Sequence, residues 1–216
     1  MAYIKETFYP NSVEHAKDIC LTPDSSKPNK FIDETKFLVD FLKENNYVDP
    51  TTNVLDFGCG VGRVSKMLIE DVGCKVIGVD ISEPMLNAAV EYVNSKDFMP
   101  GLYQKNTPTE DKPKFDLIIA SLVLQHSEHP IEDIKFIKEL LAEGGTFVLV
   151  NESHRYVPSA VDKNNHVVWD DDGIDIVDEV SKSFKLVGQY NYYGRNDKPL
   201  TIWKKQNRLN NVYAMI

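Results

Sequence analysis

The sequence predicts an α/β fold, a mainly parallel sheet with helices on both faces, finished by an antiparallel hairpin. Three observations carry this. From residue 53 onward, short β-rich runs alternate with amphipathic runs, as in successive strand–helix–strand units. A glycine-rich stretch, GCGVG (58–62), joins the first of those runs to the first helix. Near the end, FKLVGQYNYY (184–193) and KPLTIWKK (198–205) are separated only by GRND, and so short a turn joins antiparallel neighbours.

In chain order, residues 11–20 and 30–46 read as helices. In the second, Phe31, Leu38, Phe41 and Leu42 fall close to one face. LTPDSSKPNK (21–30) between them reads as a connector or a piece of a lid. NVLDF (53–57) is a strand, GRVSKMLIED (62–71) a helix and KVIGVD (75–80) a strand. Ser82 is placed to cap a helix running to about Ser95. GLYQKN (101–106) is a weak strand and FDLIIAS (115–121) a strong one. IEDIKFIKELLAE (131–143) is an amphipathic helix, with Gly144-Gly145 expected as its left-handed C-terminal cap. TFVLVNE (146–152) is a strand, and a short helix near 174–183 leads into the hairpin.

The 216 residues are 42% hydrophobic and 26% charged, enough for one domain with a real core. A net charge of -9 argues against a protein that wraps nucleic acid or lies on an anionic membrane. Cys20, Cys59 and Cys74 form no C-x-x-C pair, so neither a disulfide framework nor a zinc knuckle is expected. No apolar run reaches the length of a membrane span, and MAYIKETFYP lacks the apolar core of a secretory signal. A cytoplasmic, reducing location is expected.

A glycine-rich turn after the first strand brings backbone and a helix N-terminus close to a ligand at the carboxyl edge of the sheet. Gly58, Gly60 and Gly62 supply it, and their missing Cβ atoms are expected to leave room for that ligand. A dinucleotide fingerprint would place its third glycine at position 63, where this chain has Arg63. Asp56 precedes the loop where a pyrophosphate would lie, so it repels an anion and favours an ammonium group. Asp80 ends the second strand, where a carboxylate accepts hydrogen bonds from both ribose hydroxyls. Adenosine with a cationic amino-acid tail, S-adenosylmethionine, satisfies both acids.

VLDFGCGVGR, VIGVDISEPML, FDLIIASLVLQH and LLAEGGTFVLV resemble the successive motifs of the class I, seven-stranded S-adenosylmethionine-dependent methyltransferases, over roughly residues 53–205. The resemblance implies a three-layer sandwich with strand order 3-2-1-4-5-7-6 and strand 7 antiparallel. It implies S-adenosyl-L-methionine as cofactor and S-adenosyl-L-homocysteine as product. By position, Asp56, Gly58, Cys59, Gly60 and Gly62 would lie along the methionine portion, and Asp80 on the ribose. Ile81 and Met85 would pack near the adenine, and Ser121 and Leu122 would line the methionine tail. The family often has an aspartate at the end of strand 3 for the adenine amino group. Here Asn106, followed by Thr107, would accept that hydrogen bond through an amide oxygen. The implied organisation is an N-terminal helical lid (1–50), a cofactor-binding domain (51–205) and a C-terminal tail (206–216).

His126 follows strand 4, where the methyl group would be presented. It is the candidate general base, with pocket shaping as the plainer role. His126 and His129 form an H-x-x-H without a third ligand, so no metal is expected. Arg155, Tyr156, His166 and Trp169, with Tyr3, Tyr9 and His15, are where a substrate lid would be built; Tyr9, His15, Arg155, Tyr156 and Trp169 are the candidate acceptor contacts. The SLVLQH sequence lacks the Asn/Asp-Pro-Pro-aromatic signature of exocyclic-amine methylation on nucleobases, and no Pro-Cys supports cytosine C5 chemistry. The expected acceptor is oxygen or nitrogen of a small molecule. Protein or transfer-RNA methylation is the alternative, followed by a non-catalytic S-adenosylmethionine-binding assembly or regulatory subunit. An NAD-dependent oxidoreductase is disfavoured by Asp56, Arg63 and the hairpin. The apolar end of the tail would dock on the body or on a second copy as a homodimer.

Overall fold

A computed structural model describes residues 3–21, 23–104, 113–194 and 198–205. Its helices are α1 (Val13–Cys20), α2 (Lys30–Glu44), α3 (Arg63–Asp71), α4 (Glu83–Val93), α5 (Pro130–Leu140) and α6 (Ile176–Ser181). The strands are β1 (Asn53–Phe57), β2 (Lys75–Asp80), β3 (Phe98–Leu102), β4 (Phe115–Ser121), β5 (Leu141–Val150), β6 (Val157–Val161), β7 (Val167–Asp170), β8 (Phe184–Asn191) and β9 (Pro199–Lys205). Seven form one sheet in the order β3-β2-β1-β4-β5-β9-β8, and β6 and β7 pair separately. Counting only the sheet's own strands, this is 3-2-1-4-5-7-6. The last strand, β9, runs antiparallel to both β5 and β8, so the doubly wound sheet with a reversed strand is as expected.

Alternation along β4 divides the core. Ile118 and Ala120 face a cluster with Phe136 and Ile137 of α5 and Val180 of α6. Leu117 and Ile119 face the opposite cluster, which holds Leu38, Val39 and Leu42 of α2 and Leu68 of α3. Burial on both faces explains why this strand reads as a continuous apolar run. The apolar face of α2 thus completes one layer of the sandwich. Among the described residues no helix is long and apolar enough to cross a membrane.

Three local expectations need correction. The third strand lies at 98–102, earlier than 101–106, and includes Pro100. Its edge position tolerates a residue that cannot donate to a ladder. Gly144-Gly145 does not cap α5, which ends at Leu140 with Leu141 already extended. Gly144, at φ +77°, instead turns the chain inside β5, where the register with β4 slips between the Phe115–Leu141 and Leu117–Thr146 pairs. The segment after β5, read from sequence only as a place for a substrate lid, folds as the β6–β7 hairpin.

Candidate functional site

The carboxyl ends of β1, β2 and β4 open into a cavity of about 690 Å³. Its wall is closed by the N-terminal segment before α1. The Ile4 N–H donates to the Pro158 carbonyl of β6 at 2.9 Å, and the Phe8 carbonyl accepts from the Ser82 hydroxyl at 2.8 Å. The segment therefore bridges from the hairpin to the start of α4, and Tyr3, Lys5, Thr7 and Phe8 line the cavity. Thr7 Oγ1 is buried with no hydrogen-bond partner among the described residues.

Residues 58–62 make a backbone nest between β1 and α3. Gly58 and Cys59 donate their N–H groups to the Val79 carbonyl at 2.8 and 2.9 Å. The Gly60 N–H donates to Asp80 Oδ2 at 3.0 Å, and the Ser82 N–H to Asp80 Oδ1 at 3.0 Å. Asp80 lines the cavity with no salt-bridge partner among the described residues. Desolvation pushes its pKa up to about 6, while the backbone donors of Ser82, Gly60 and Ile81 pull it down. Asp56 is buried, and its Oδ2 accepts from the Ser65 hydroxyl at 2.7 Å. Burial raises its pKa; the Ser65 bond and the Arg63 charge oppose that rise.

The glycines do not leave room for a ligand in the way the sequence suggested. A Cβ on Gly58 would lie 2.1 Å from Val123 Cγ2, on Gly60 2.3 Å from Cys20 Sγ, and on Gly62 2.5 Å from Val93 Cγ2. The missing side chains make room for the protein itself, and α1 docks on the loop through Cys20, whose sulfur accepts from the Val61 N–H at 3.2 Å. Burial pushes the Cys20 thiol up to about 11 and raises that of Cys59 strongly, so both are protonated at neutral pH.

Arg63 does more than break a dinucleotide pattern. Its buried guanidinium donates to Thr35 Oγ1 on α2 at 2.8 Å and to Ser121 Oγ at the end of β4 at 3.1 Å. The signal for this was its place at the first turn of α3, where a side chain reaches back over the sheet edge. Leu122, next along, has φ +59°, an unfavourable conformation for a branched side chain.

His126 sits on a short turn after β4. Its Nδ1 lies 2.8 Å from the Tyr156 carbonyl, which can only accept, so Nδ1 carries the proton and Nε2 a lone pair. Gln125 Oε1 accepts from the Glu152 N–H at 3.0 Å, turning the amide nitrogen toward His126 Nε2 at 3.5 Å. Burial lowers the imidazole pKa. No sequence signal marks Gln125, nor the Lys198–Glu152 ion pair at 2.7 Å in the same cavity wall. Nor did it flag Asp133, which accepts from the Tyr103 hydroxyl at 2.7 Å and from the Ser127 hydroxyl.

Of the sequence candidates, Asp56, Gly58, Cys59, Gly60, Asp80 and Ile81 line the cavity. So do Met85, Ser121, Leu122, His126, Tyr156 and Trp169. Gly62 stands behind the loop, against Val93. Tyr9 and His15 are not in the wall; His15 Nδ1 accepts from the Asn11 N–H at the start of α1. Asn106, Thr107 and the tail 206–216 lie outside the described residues. Arg155 is buried away from the cavity. It donates to the Leu124 and Ser127 carbonyls at 2.6 and 2.7 Å and to both Asp172 oxygens at 3.0 and 2.8 Å. It fastens the turn carrying His126 to the segment after β7.

A doubly wound sheet with its last strand reversed, and an acid at the end of β2 bonded to a glycine nest after β1, defines the class I S-adenosylmethionine-dependent methyltransferases. The chain belongs to that family: the methyltransferase-domain family model matches residues 25–181. It is 31% identical over 140 residues to a ribosomal protein L11 methyltransferase of Thermosipho africanus, covering 64% of this chain and 52% of that protein. It is 27% identical over 140 residues to the chloroplastic tocopherol O-methyltransferase of Arabidopsis thaliana, covering 62% of this chain and 38% of that one. The chain thus spans about half or less of the length of these curated relatives. The crystal structure of the PH0226 protein from Pyrococcus horikoshii shares the fold, with a TM-score of 0.65 at 20% identity over 82% of this chain and 91% of that one.

Two substitutions test the packing described here. Gly60→Ala meets Cys20 and must hold φ +55°; it should cost about 2–3 kcal/mol. Cys20→Ala in the same chain should recover the steric share, and an unchanged cost in chemical denaturation of the double variant would rule out the contact. Arg155→Met should cost on the order of 3 kcal/mol, because it strands Asp172 and two carbonyls. Arg155 holds the Asp172 pKa below its ordinary value. The stability that Asp172 contributes is therefore present at neutral pH and lost on acidification. The penalty of Asp172→Asn should accordingly shrink below about pH 4; a pH-independent penalty would contradict the pair.

Proposed function

We propose that the chain is a methyltransferase that binds S-adenosylmethionine in this cavity and methylates oxygen or nitrogen of a small molecule. The observation that carries the reading is Asp80. Its oxygens accept backbone N–H groups from Gly60, Ser82 and Ile81, and the carboxylate keeps lone-pair capacity for a ribose hydroxyl. The remaining fit is chemical: Asp56 offers negative charge to the ammonium end, Ile81 and Met85 an apolar wall for the adenine, and Ser121 and Leu122 backbone along the tail. When bound, the cofactor supplies an electrophilic methyl group on a sulfonium leaving group. The chain's own work is to hold the acceptor atom in line with that methyl and to exclude water. His126 Nε2 accepts the proton that the acceptor loses as its new bond to carbon forms and the carbon–sulfur bond breaks. The bridge from Ile4 to Pro158 favours a small acceptor over a protein chain, although one relative is named for a ribosomal protein.

Isothermal titration with S-adenosylmethionine, S-adenosylhomocysteine and NAD tests this. Binding of the first two at roughly micromolar Kd, about 8 kcal/mol, and none of NAD is expected. Asp80→Ala should weaken binding at least about tenfold, through lost charged hydrogen bonds of roughly 1–3 kcal/mol. The ribose bonds favour the ionised carboxylate, so affinity should be level above pH 6 and fall as pH drops through about 6. Undiminished affinity in a folded Asp80→Ala protein would refute the assignment.

A further inference from the structure

The wall of the cavity beyond His126 has a composition that the cofactor does not explain. Three rings from separate parts of the chain surround the imidazole. Phe8 lies 5.9 Å from it, Trp169 5.5 Å and Tyr156 6.2 Å between ring centroids. Phe8 and Trp169 are 6.3 Å apart, edge to face. All line the cavity, yet Trp169 and Tyr156 remain 42% and 37% exposed. Rings left open beside a cavity offer flat apolar surface to a flat guest.

Lys198 lines the same cavity at 5% exposure. An ammonium group has three donors, and among the described residues Glu152 Oε1 is the one partner shown for it. The pair is neutral overall, so a buried cation with spare donors faces the cavity without a net field drawing in anions. Its spare donors would stabilise negative charge growing on a nearby oxygen.

We infer that the acceptor is a hydroxylated aromatic ring, a phenol, seated against the open faces of Tyr156 and Trp169, with its hydroxyl turned to His126 Nε2 and its oxygen stabilised by Lys198. This rests on the proposed methyltransferase reading and selects oxygen over nitrogen within it. In the step, the phenol oxygen forms a bond to the methyl carbon as the carbon–sulfur bond breaks. The electron pair of that bond leaves with sulfur, and the phenolic proton passes to Nε2. Nothing is oxidised or reduced. Trp169 and Tyr156 set specificity, and Lys198 acts on the reacting oxygen.

The test uses the full chain with S-adenosylhomocysteine bound, titrated with catechol, 4-hydroxybenzoate and phenol, and with aniline and benzylamine as amine controls. Methyl transfer from S-adenosylmethionine to each probe is followed by mass spectrometry. Binding of at least one phenol, with methyl on its oxygen, is expected. Trp169→Leu, at a partly exposed position of β7, should weaken phenol binding at least tenfold while leaving S-adenosylhomocysteine affinity unchanged. Lys198→Met combined with Glu152→Gln removes both charges together and should lower kcat/KM for phenols at least tenfold. Methylation on nitrogen of the amines in preference to the phenols would overturn the inference. So would indifference of phenol binding to Trp169→Leu, or binding of S-adenosylhomocysteine with no phenol bound, which leaves the methyltransferase reading intact. Failure to bind S-adenosylhomocysteine at all would sink both.

Discussion

The site depends on a carboxylate that no cation balances among the described residues. Asp80 ends β2 in a largely desolvated position, held by the N–H groups of Gly60 and Ser82. Backbone dipoles stabilise the charge without cancelling it; desolvation still raises its pKa, so the acid is a good acceptor once ionised. The same residue's carbonyl accepts from the Tyr103 N–H at 2.8 Å, which ties the chain leaving β3 to the end of β2. Asp56, one strand away, shows the other solution: a hydroxyl from Ser65 and the nearby Arg63 charge offset its burial. One acid is partly answered by side chains, and the other by backbone alone.

That arrangement asks for a loop that cannot drift, and packing supplies it. The glycines at 58, 60 and 62 all have positive φ, and each is pressed by a side chain of another element: Val123, Cys20 and Val93. Close approach of this kind converts flexible residues into a rigid nest, because any larger residue would have to displace a neighbour. It also couples the loop to α1 and, through Arg63 and Thr35, to α2. The N-terminal helices thereby shape the nest as well as covering the cavity.

The sheet and the two acids were legible because their signals are local: apolar runs of strand length, a glycine triplet, and an aspartate at a strand end. Ser82 was readable as a cap for the same reason, and its hydroxyl does accept from the Met85 N–H. What escaped notice depends on distance in sequence. Lys198 meets Glu152 where β5 and β9, far apart in sequence, continue their antiparallel register past Val150 and Leu200, and no local periodicity marks such a pair. The β6–β7 hairpin was hidden because its strands are short and one contains Pro158. Arg155 looked like a ligand contact because a lone arginine in a variable segment has no local partner to explain it; Asp172 explains it only once the chain is folded.

The placement of His126 ties these levels together. Arg155 pins the turn that carries it, and the Tyr156 N–H donates to the Gln125 carbonyl at 2.9 Å. The Tyr156 carbonyl accepts from the imidazole in return. The tautomer is therefore set by a neutral peptide group, whereas a carboxylate in that position would stabilise the imidazolium and strengthen the base. Burial weakens it further. A base of that strength removes a proton only from a group already acidified by reaction. Methyl transfer to a hydroxyl meets that condition, because the oxygen becomes a strong acid as its bond to carbon forms. On the proposed chemistry, a weak, firmly oriented imidazole suffices, and the larger share of the work falls on alignment, which is what the rigid nest and the pinned turn provide.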